Sequence, residues 1–297
     1  MTVMKLLTYR DGGEERLGVA VGGQVWAAHD LGFPGSLLDL IRAGEATLQS
    51  LRAAVENGPS GVAPMALSEI AVTAPILRPI RSIFCAGKTY ADHAAEYGTS
   101  GYDKQMSAAL PDKPVIFFKL VSSVIGPYDD IEDHADVTSE LDYEAELAVV
   151  IGKAGRRIPE SAAMDHVFGY MLLNDVTARD WQKGHDQWVV GKSFDTFCPM
   201  GPFVVTADEA PEMEALEYRC SVNGELRQVG RPADLLFNVA SQLSYFSQGI
   251  TLQPGDIIST GSPTGVGIGF KPPRFLKAGD RVRIESELLG VMENRVV

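Results

Sequence analysis

The chain has little with which to build redox or membrane chemistry. Its three cysteines, Cys85, Cys198 and Cys220, are odd in number and lack metal-ligand spacing. That argues against a disulfide framework or a zinc site, and they read as reduced thiols of a cytoplasmic protein. No apolar run approaches the roughly 18 residues needed to span a membrane. The opening residues, Met1-Thr2-Val3-Met4-Lys5, hold no apolar core of a signal peptide. Basic residues are the minority: 26 Lys and Arg against 39 Asp and Glu leave a net charge of -13. That balance speaks against a nucleic-acid partner or an anionic membrane. It does not exclude an anionic substrate, because a bound metal and a few Lys or Arg reverse the sign locally. Internal repeats and low-complexity stretches are absent as well.

What is present is a β-rich α+β pattern. Hydrophobic residues make up 45%, with 30 Gly and 17 Pro to serve many turns. Lys5–Tyr9, Arg16–Val21 and Gln24–Ala28 read as short strands joined at Asp11-Gly12-Gly13 and Gly22-Gly23. Ser36 to Ala43 and Glu45 to Glu56 show helical spacing, with Ser36 as an N-cap. We expect residues 1–75 to form a small N-terminal α+β domain without chemistry of its own, and 78–297 to form the main domain. In the main domain Ile83–Ala86 is a strand ending at Gly87, and Thr89–Tyr97 is helical. Gly98 to Lys113 is a small, polar stretch of the length of a lid loop. Pro232 to Ser247 is expected to be a single helix, and the later segments are mostly strands in an antiparallel or mixed sheet.

The stretch Leu141-Asp142-Tyr143-Glu144-Ala145-Glu146-Leu147-Ala148-Val149-Val150-Ile151-Gly152 stands out. Its second half is an apolar, β-branched strand buried on both faces. Glu144 and Glu146, at its entrance, share one face. Side by side, two such carboxylates repel and are costly to desolvate. A divalent cation with oxygen ligands would neutralise them; the other solution is a solvated sheet edge paired with Arg or Lys. Asp175 closes another apolar run, Phe168 to Val176, and offers a third oxygen ligand. Carboxylates suit Mg²⁺, Mn²⁺ or Ca²⁺ rather than zinc and leave coordination positions open.

His93 and Glu96 fall three apart on one helix face. They make either a general base with its orienting acid or an incidental surface pair. Lys119 and Lys192 sit beside aromatic residues, either to bind a carboxylate or stabilise an enolate, or as snorkelling surface lysines. The turn Gly261-Ser262-Pro263-Thr264-Gly265-Val266-Gly267-Ile268-Gly269 offers N–H groups to an anion. It matches neither a Walker A nor a dinucleotide fingerprint, so nucleotide binding is rejected.

Taken in order, six segments resemble the fumarylacetoacetate hydrolase family over about residues 78–297. They are Ala86-Gly87-Lys88-Thr89-Tyr90-Ala91-Asp92-His93, Pro114 to Lys119, Asp142 to Leu147, Gly169 to Asp180, Gly191-Lys192-Ser193-Phe194-Asp195, and Ser259 to Gly267. The resemblance implies a mixed β-sandwich roll, usually homodimeric, acting on small keto acids. It implies Glu144, Glu146 and Asp175 as ligands of a divalent metal, with Mg²⁺ expected first and Mn²⁺ or Ca²⁺ as alternatives. By the same resemblance His93 and Glu96 activate water, Lys192 supports the oxyanion or enolate, and Lys119, Arg179, Gln182 and Ser262 approach substrate. Leu120 stands where Pro is common in the family and Thr89 where Asn is common, which bears on substrate identity more than on chemistry. The expected activity is metal-dependent hydrolysis of a C–C bond in an acylpyruvate-type keto acid, as in aromatic catabolism. Decarboxylation of oxaloacetate-like acids, dienoate isomerisation and ureidoglycolate-type cleavage use the same apparatus, and a non-catalytic metabolite-binding role is the remaining option.

Overall fold

The computed structural model describes residues 3–58, 61–102 and 110–297. Its centre is the strand Ala145–Ile151, whose alternation divides two cores. Leu147, Val149 and Ile151 enter one apolar cluster, while Ala148 and Val150 enter another. The antiparallel neighbour Val167–Asn174 divides in the same way: Tyr170 and Leu172 face the first core, Met171 and Leu173 the second. Both strands are therefore buried on both faces, as their unbroken apolar runs require.

These two strands sit inside a 12-stranded sheet. Outward from Val167–Asn174 come Cys198–Thr206, then Lys5–Asp11, Glu14–Val21, Gln24–Ala27 and Met65–Ala66. Outward from Ala145–Ile151 come Ile257–Ser259, Ile83–Gly87 and Val115–Lys119. Most pairings are antiparallel; Ile257–Ser259 runs parallel to Ile83–Gly87. A smaller four-stranded sheet, Glu225–Gly230, Tyr218–Val222, Arg281–Ser286 and Gly290–Arg295, covers one face with Tyr218, Cys220, Val282 and Ile284. Leu37, Leu40 and Ile41 of one helix, and Leu48 and Leu51 of the next, cover the other. The result is the expected β-rich α+β architecture in layers.

Three local readings resolve further. Ser36 caps the helix Leu37–Ala43, its Oγ accepting the Asp39 N–H at 3.2 Å while Asp39 reaches back to the Ser36 N–H. The first strand, Lys5–Asp11, pairs with Cys198–Thr206, so the N-terminal strands hydrogen-bond directly into the main sheet. The stretch 232–247 is not one helix: Pro232–Asp234 is a 3-10 turn, and only Val239–Ser247 is α-helical. The second helix starts at Asn238, whose side chain accepts the Ser241 N–H, because Pro232 and that cap each begin a new turn. Of the expected lid stretch 98–113, residues 103–109 lie outside the described residues. Among the described residues no helix is long and apolar enough to cross a membrane.

Gly169 marks where the sheet is tightest. A Cβ there would lie 2.3 Å from the Val205 carbonyl oxygen, with backbone rather than a flexible side chain in the way. Gly169→Ala should therefore cost about 2–3 kcal/mol by overpacking, read as a lower urea midpoint with an unchanged slope. An unaltered midpoint would contradict the close strand approach.

Candidate active site

Antiparallel pairing makes the site. Ala145 opposes Asn174, so the start of one central strand lies beside the end of its neighbour. The chain locks this junction twice: the Asn174 side chain accepts the Glu144 N–H at 3.0 Å, and the Asp175 N–H donates to the Glu144 carbonyl at 2.8 Å. Glu144, Glu146 and Asp175 converge there, each buried, with one oxygen from each within 4.8 Å of the others. Glu144 lies just ahead of the strand and Glu146 within it, yet both carboxylates reach the cluster.

The cluster has more carboxylates than its neighbouring cations can pair. Lys192 Nζ donates to Glu144 Oε2 at 2.5 Å and to Asp175 Oδ2 at 2.7 Å. Arg179 Nη2 lies 2.7 Å from Glu144 Oε1, and its Nε donates to Asp142 Oδ2 at 2.8 Å. Lys119 Nζ donates to Asp175 Oδ1 at 2.7 Å. Three cations thus face four buried carboxylates, and Glu146 is the one paired with none of them. It is held by neutral donors: the Ser259 hydroxyl at 2.5 Å and the Gly261 N–H at 2.9 Å. Burial, with Asp175 and Glu144 alongside, pushes the Glu146 carboxyl well above the usual carboxylate range. Burial works the same way on Glu144, but Arg179, Lys192 and His93 outweigh it and hold that carboxyl below the range. Desolvation opposes the charge on Lys192, yet Asp175 and Glu144 keep its ammonium protonated. A hard divalent cation fits this donor set, since it takes oxygen ligands and covers the unmet charge.

His93 stands over the cluster on the helix Ala91–Thr99. Its Nδ1 lies 3.2 Å from Glu96 Oε2, which as a carboxylate accepts, and its Nε2 lies 4.0 Å from Glu144 Oε1. Glu96 is itself fixed by the Gly265 N–H at 3.1 Å. The dyad read from helix spacing is therefore largely enclosed, with side chains 8% and 14% exposed, and its His93 Nε2 faces Glu144. Gln182 accepts from Arg179 Nη1 at 3.0 Å, and Ser262 Oγ accepts from Gln228 at 2.8 Å; both line the cavity. The cavity measures about 20 Å³, room for a single water, so a bound keto acid must move at least one wall side chain.

Lys119 is placed differently from the reading that brought it to substrate. It is fully buried behind Asp175, donating also to the Val176 and Lys192 carbonyls, and does not line the cavity. It holds the Asp175 carboxylate and the Lys192 backbone. The glycine-rich turn also differs from expectation. Its amides serve the protein's own anions: Gly261 donates to Glu146, Gly265 to Glu96, and Gly267 and Ile268 to Asp142 at 2.7 and 3.2 Å. Residues not singled out beforehand complete the walls. Tyr97, Phe117 and Trp188 form an aromatic side, and behind the wall Asp142 ties Arg179 to that turn. The acid at Asp142 was legible as part of the same motif; the aromatic wall, drawn from three distant segments, had no local signal.

The raised Glu146 carboxyl has a consequence for stability. In the folded, metal-free protein Glu146 retains a proton that the unfolded chain has released, so its contribution is full below the ordinary carboxylate pKa and lost as pH rises above it. Glu144 acts oppositely, so the diagnostic is a difference. With chelator present, wild type should lose more stability than Glu146→Gln between pH 5 and 8 in urea unfolding, and a divalent cation should restore wild type alone. Parallel pH profiles would show that Glu146 carries no buried excess charge.

Comparison with known proteins agrees with this geometry. The family model described as fumarylacetoacetate (FAA) hydrolase C-terminal matches residues 82–297. The chain is 45% identical over 269 residues to an oxaloacetate tautomerase of Bacillus subtilis, covering 89% of this chain and 87% of that protein. It is 43% identical over 267 residues to a mitochondrial oxaloacetate tautomerase of Bos taurus, covering 89% and 81%. Among solved structures, a fumarylacetoacetate hydrolase from the psychrophile Exiguobacterium antarcticum superposes with a TM-score of 0.83 at 40% identity over 99% of each chain. Maleylpyruvate hydrolase from Sphingobium sp. SYK-6, in complex with manganese(II) and pyruvate, gives 0.78 at 32% identity over 99% of each. With a buried acidic cluster at paired strand ends and a family match spanning most of its length, the chain belongs to the fumarylacetoacetate hydrolase family.

Proposed function

We propose that the protein interconverts the enol and keto forms of a small oxaloacetate-type keto diacid. The observation that carries this is His93: Glu96 fixes its Nδ1, and its Nε2 faces the acidic cluster. One imidazole with a fixed tautomer is what moving a single proton requires. The oxaloacetate tautomerases at 45% and 43% identity support the same reaction.

A divalent ion, Mn²⁺ or Mg²⁺, held by Glu144, Glu146 and Asp175 would polarise the keto and carboxylate oxygens of an α-keto acid. His93 delivers the proton to C3 as the C2=C3 electron pair takes it up, the enol hydroxyl proton is released, and C2–O becomes a carbonyl. In the reverse direction His93 removes the C3 proton. Arg179 and Gln182 hold the reacting oxygens, and Lys192 balances the enolate charge. No water is consumed and no C–C bond breaks.

Hydrolysis is the second reading. The same dyad can take a proton from water, and the structural likeness to maleylpyruvate hydrolase favours it. Under the tautomerase reading, His93→Ala in the metal-loaded protein should slow loss of the enol absorbance of oxaloacetate by about 10²–10⁴-fold, and Glu96→Gln by less. An unchanged rate in His93→Ala removes the assignment. Acid products from acylpyruvates, without accelerated tautomerisation, would move the chain to the hydrolase reading.

A further inference from the structure

The small four-stranded sheet meets the glycine-rich turn at Gln228. Its edge strand Glu225–Gly230 carries a bulge there: Gln228 pairs with Cys220 and Leu226 with Ser221, which leaves Arg227 without an opposite number. A regular strand turns successive side chains to opposite faces. Here two in succession turn inward, Arg227 with 6% of its side chain exposed and Gln228 with 1%, while Leu226 and Val229 on either side are exposed. Bulges re-aim side chains in this way and recur beside active sites. The bulged residue also abuts the turn, since a Cβ at Gly265 would run into the Arg227 carbonyl.

The Gln228 amide is fully used. Its Oε1 accepts the Ala145 N–H at 3.0 Å, and its Nε2 donates to Ser262 Oγ at 2.8 Å and to the Pro263 carbonyl at 2.7 Å. The two ends cannot be exchanged, because a backbone N–H only donates and a carbonyl only accepts. Ser262 is therefore met by a donor, and its oxygen is the acceptor of that bond. Ala145 lies between Glu144 and Glu146, so the same amide joins the turn to the strand that carries these acids. The Ser262 proton has no comparable partner. The one acceptor it meets among the described residues is the Pro263 carbonyl at 3.3 Å, which already takes the shorter bond from Gln228. Ser262 lines the cavity, so that proton is what its hydroxyl can offer there.

We infer that Gln228 is a positioning residue for the proposed reaction: it occupies Ser262 Oγ from behind and so makes that hydroxyl a hydrogen-bond donor to the carboxylate of the bound keto acid. The inference rests on the keto-acid reading above and extends it. A carboxylate only accepts, and a Ser262 lone pair turned toward it would repel. A hydroxyl alone has no fixed polarity, because its proton rotates to suit its surroundings. Gln228 supplies the polarity, from a strand that itself lines no part of the cavity among the described residues.

The test is a double-mutant cycle on pyruvate binding to the Mn²⁺-loaded protein, read by water-proton relaxation, with Mn²⁺ affinity and a thermal melt measured for each variant. Gln228→Glu keeps an acceptor for Ala145 but meets Ser262 with a second acceptor, so the hydroxyl turns back toward it. Ser262→Ala should weaken pyruvate about tenfold, and Gln228→Glu by about as much. The double variant should then lie within about twofold of Ser262→Ala alone. Gln228→Met, with neither donor nor acceptor, should weaken pyruvate less and likewise lose its effect beside Ser262→Ala; it carries the cycle if Gln228→Glu does not fold. An effect at Gln228 that persists undiminished beside Ser262→Ala is that of added charge or a displaced turn, and overturns the inference. Unchanged pyruvate binding in Ser262→Ala or in Gln228→Glu overturns it too. Coupling without tautomerisation of oxaloacetate removes the reaction assignment and leaves the role of Gln228, whereas tautomerisation without coupling does the reverse.

Discussion

Buried carboxyl groups in excess of their cationic partners are the constraint on which the site depends. Four carboxylates are drawn under cover at the junction of two central strands, against three cations. Isolated carboxylates in such a place would be protonated or expelled. The fold keeps them by surrounding each with fixed donors, and leaves Glu146 with neutral ones. That imbalance suits the cluster to a divalent cation, and Lys192 bridges two of the acids.

The donors have a common origin. Gly261, Gly265, Gly267 and Ile268 belong to one turn, and their amides reach Glu146, Glu96 and Asp142. A single loop thereby sets Glu146, the acid behind His93 and the acid behind Arg179. Its glycines are needed for close approach: at Gly269 a Cβ would lie 1.8 Å from Glu96 Oε1. Glu146, His93 through Glu96, and Arg179 through Asp142 are positioned relative to each other through this backbone, which is rigid in a way that long side chains are not.

Much of this was legible in the sequence. The unbroken apolar runs around Val149 and Leu172 announced doubly buried strands, and the two-residue period put Glu144 and Glu146 together. Helical spacing paired His93 with Glu96. The order of six motifs identified the family, which no single motif could. What stayed hidden depended on contacts between distant segments. Lys119 resembles a substrate lysine locally, but its Nζ is taken up by Asp175 and by the Val176 and Lys192 carbonyls, partners distant in sequence. The glycine-rich turn announced an anion site without saying that the anions were the chain's own. The aromatic row of Tyr97, Phe117 and Trp188 comes from a helix, a strand and a loop, and has no period to detect. The break at Asn238 was missed because apolar residues on either side keep helical spacing.

Moving one proton without breaking the carbon skeleton is the central chemical claim, and the fate of carbon and hydrogen tests it directly. The metal-loaded protein is incubated with oxaloacetate in D₂O and followed by proton and carbon NMR beside an enzyme-free control. Deuterium should enter C3 far faster than in the control, with all four carbons still joined. Formation of oxalate with acetate, or of pyruvate with CO₂, at the rate at which oxaloacetate disappears would contradict it.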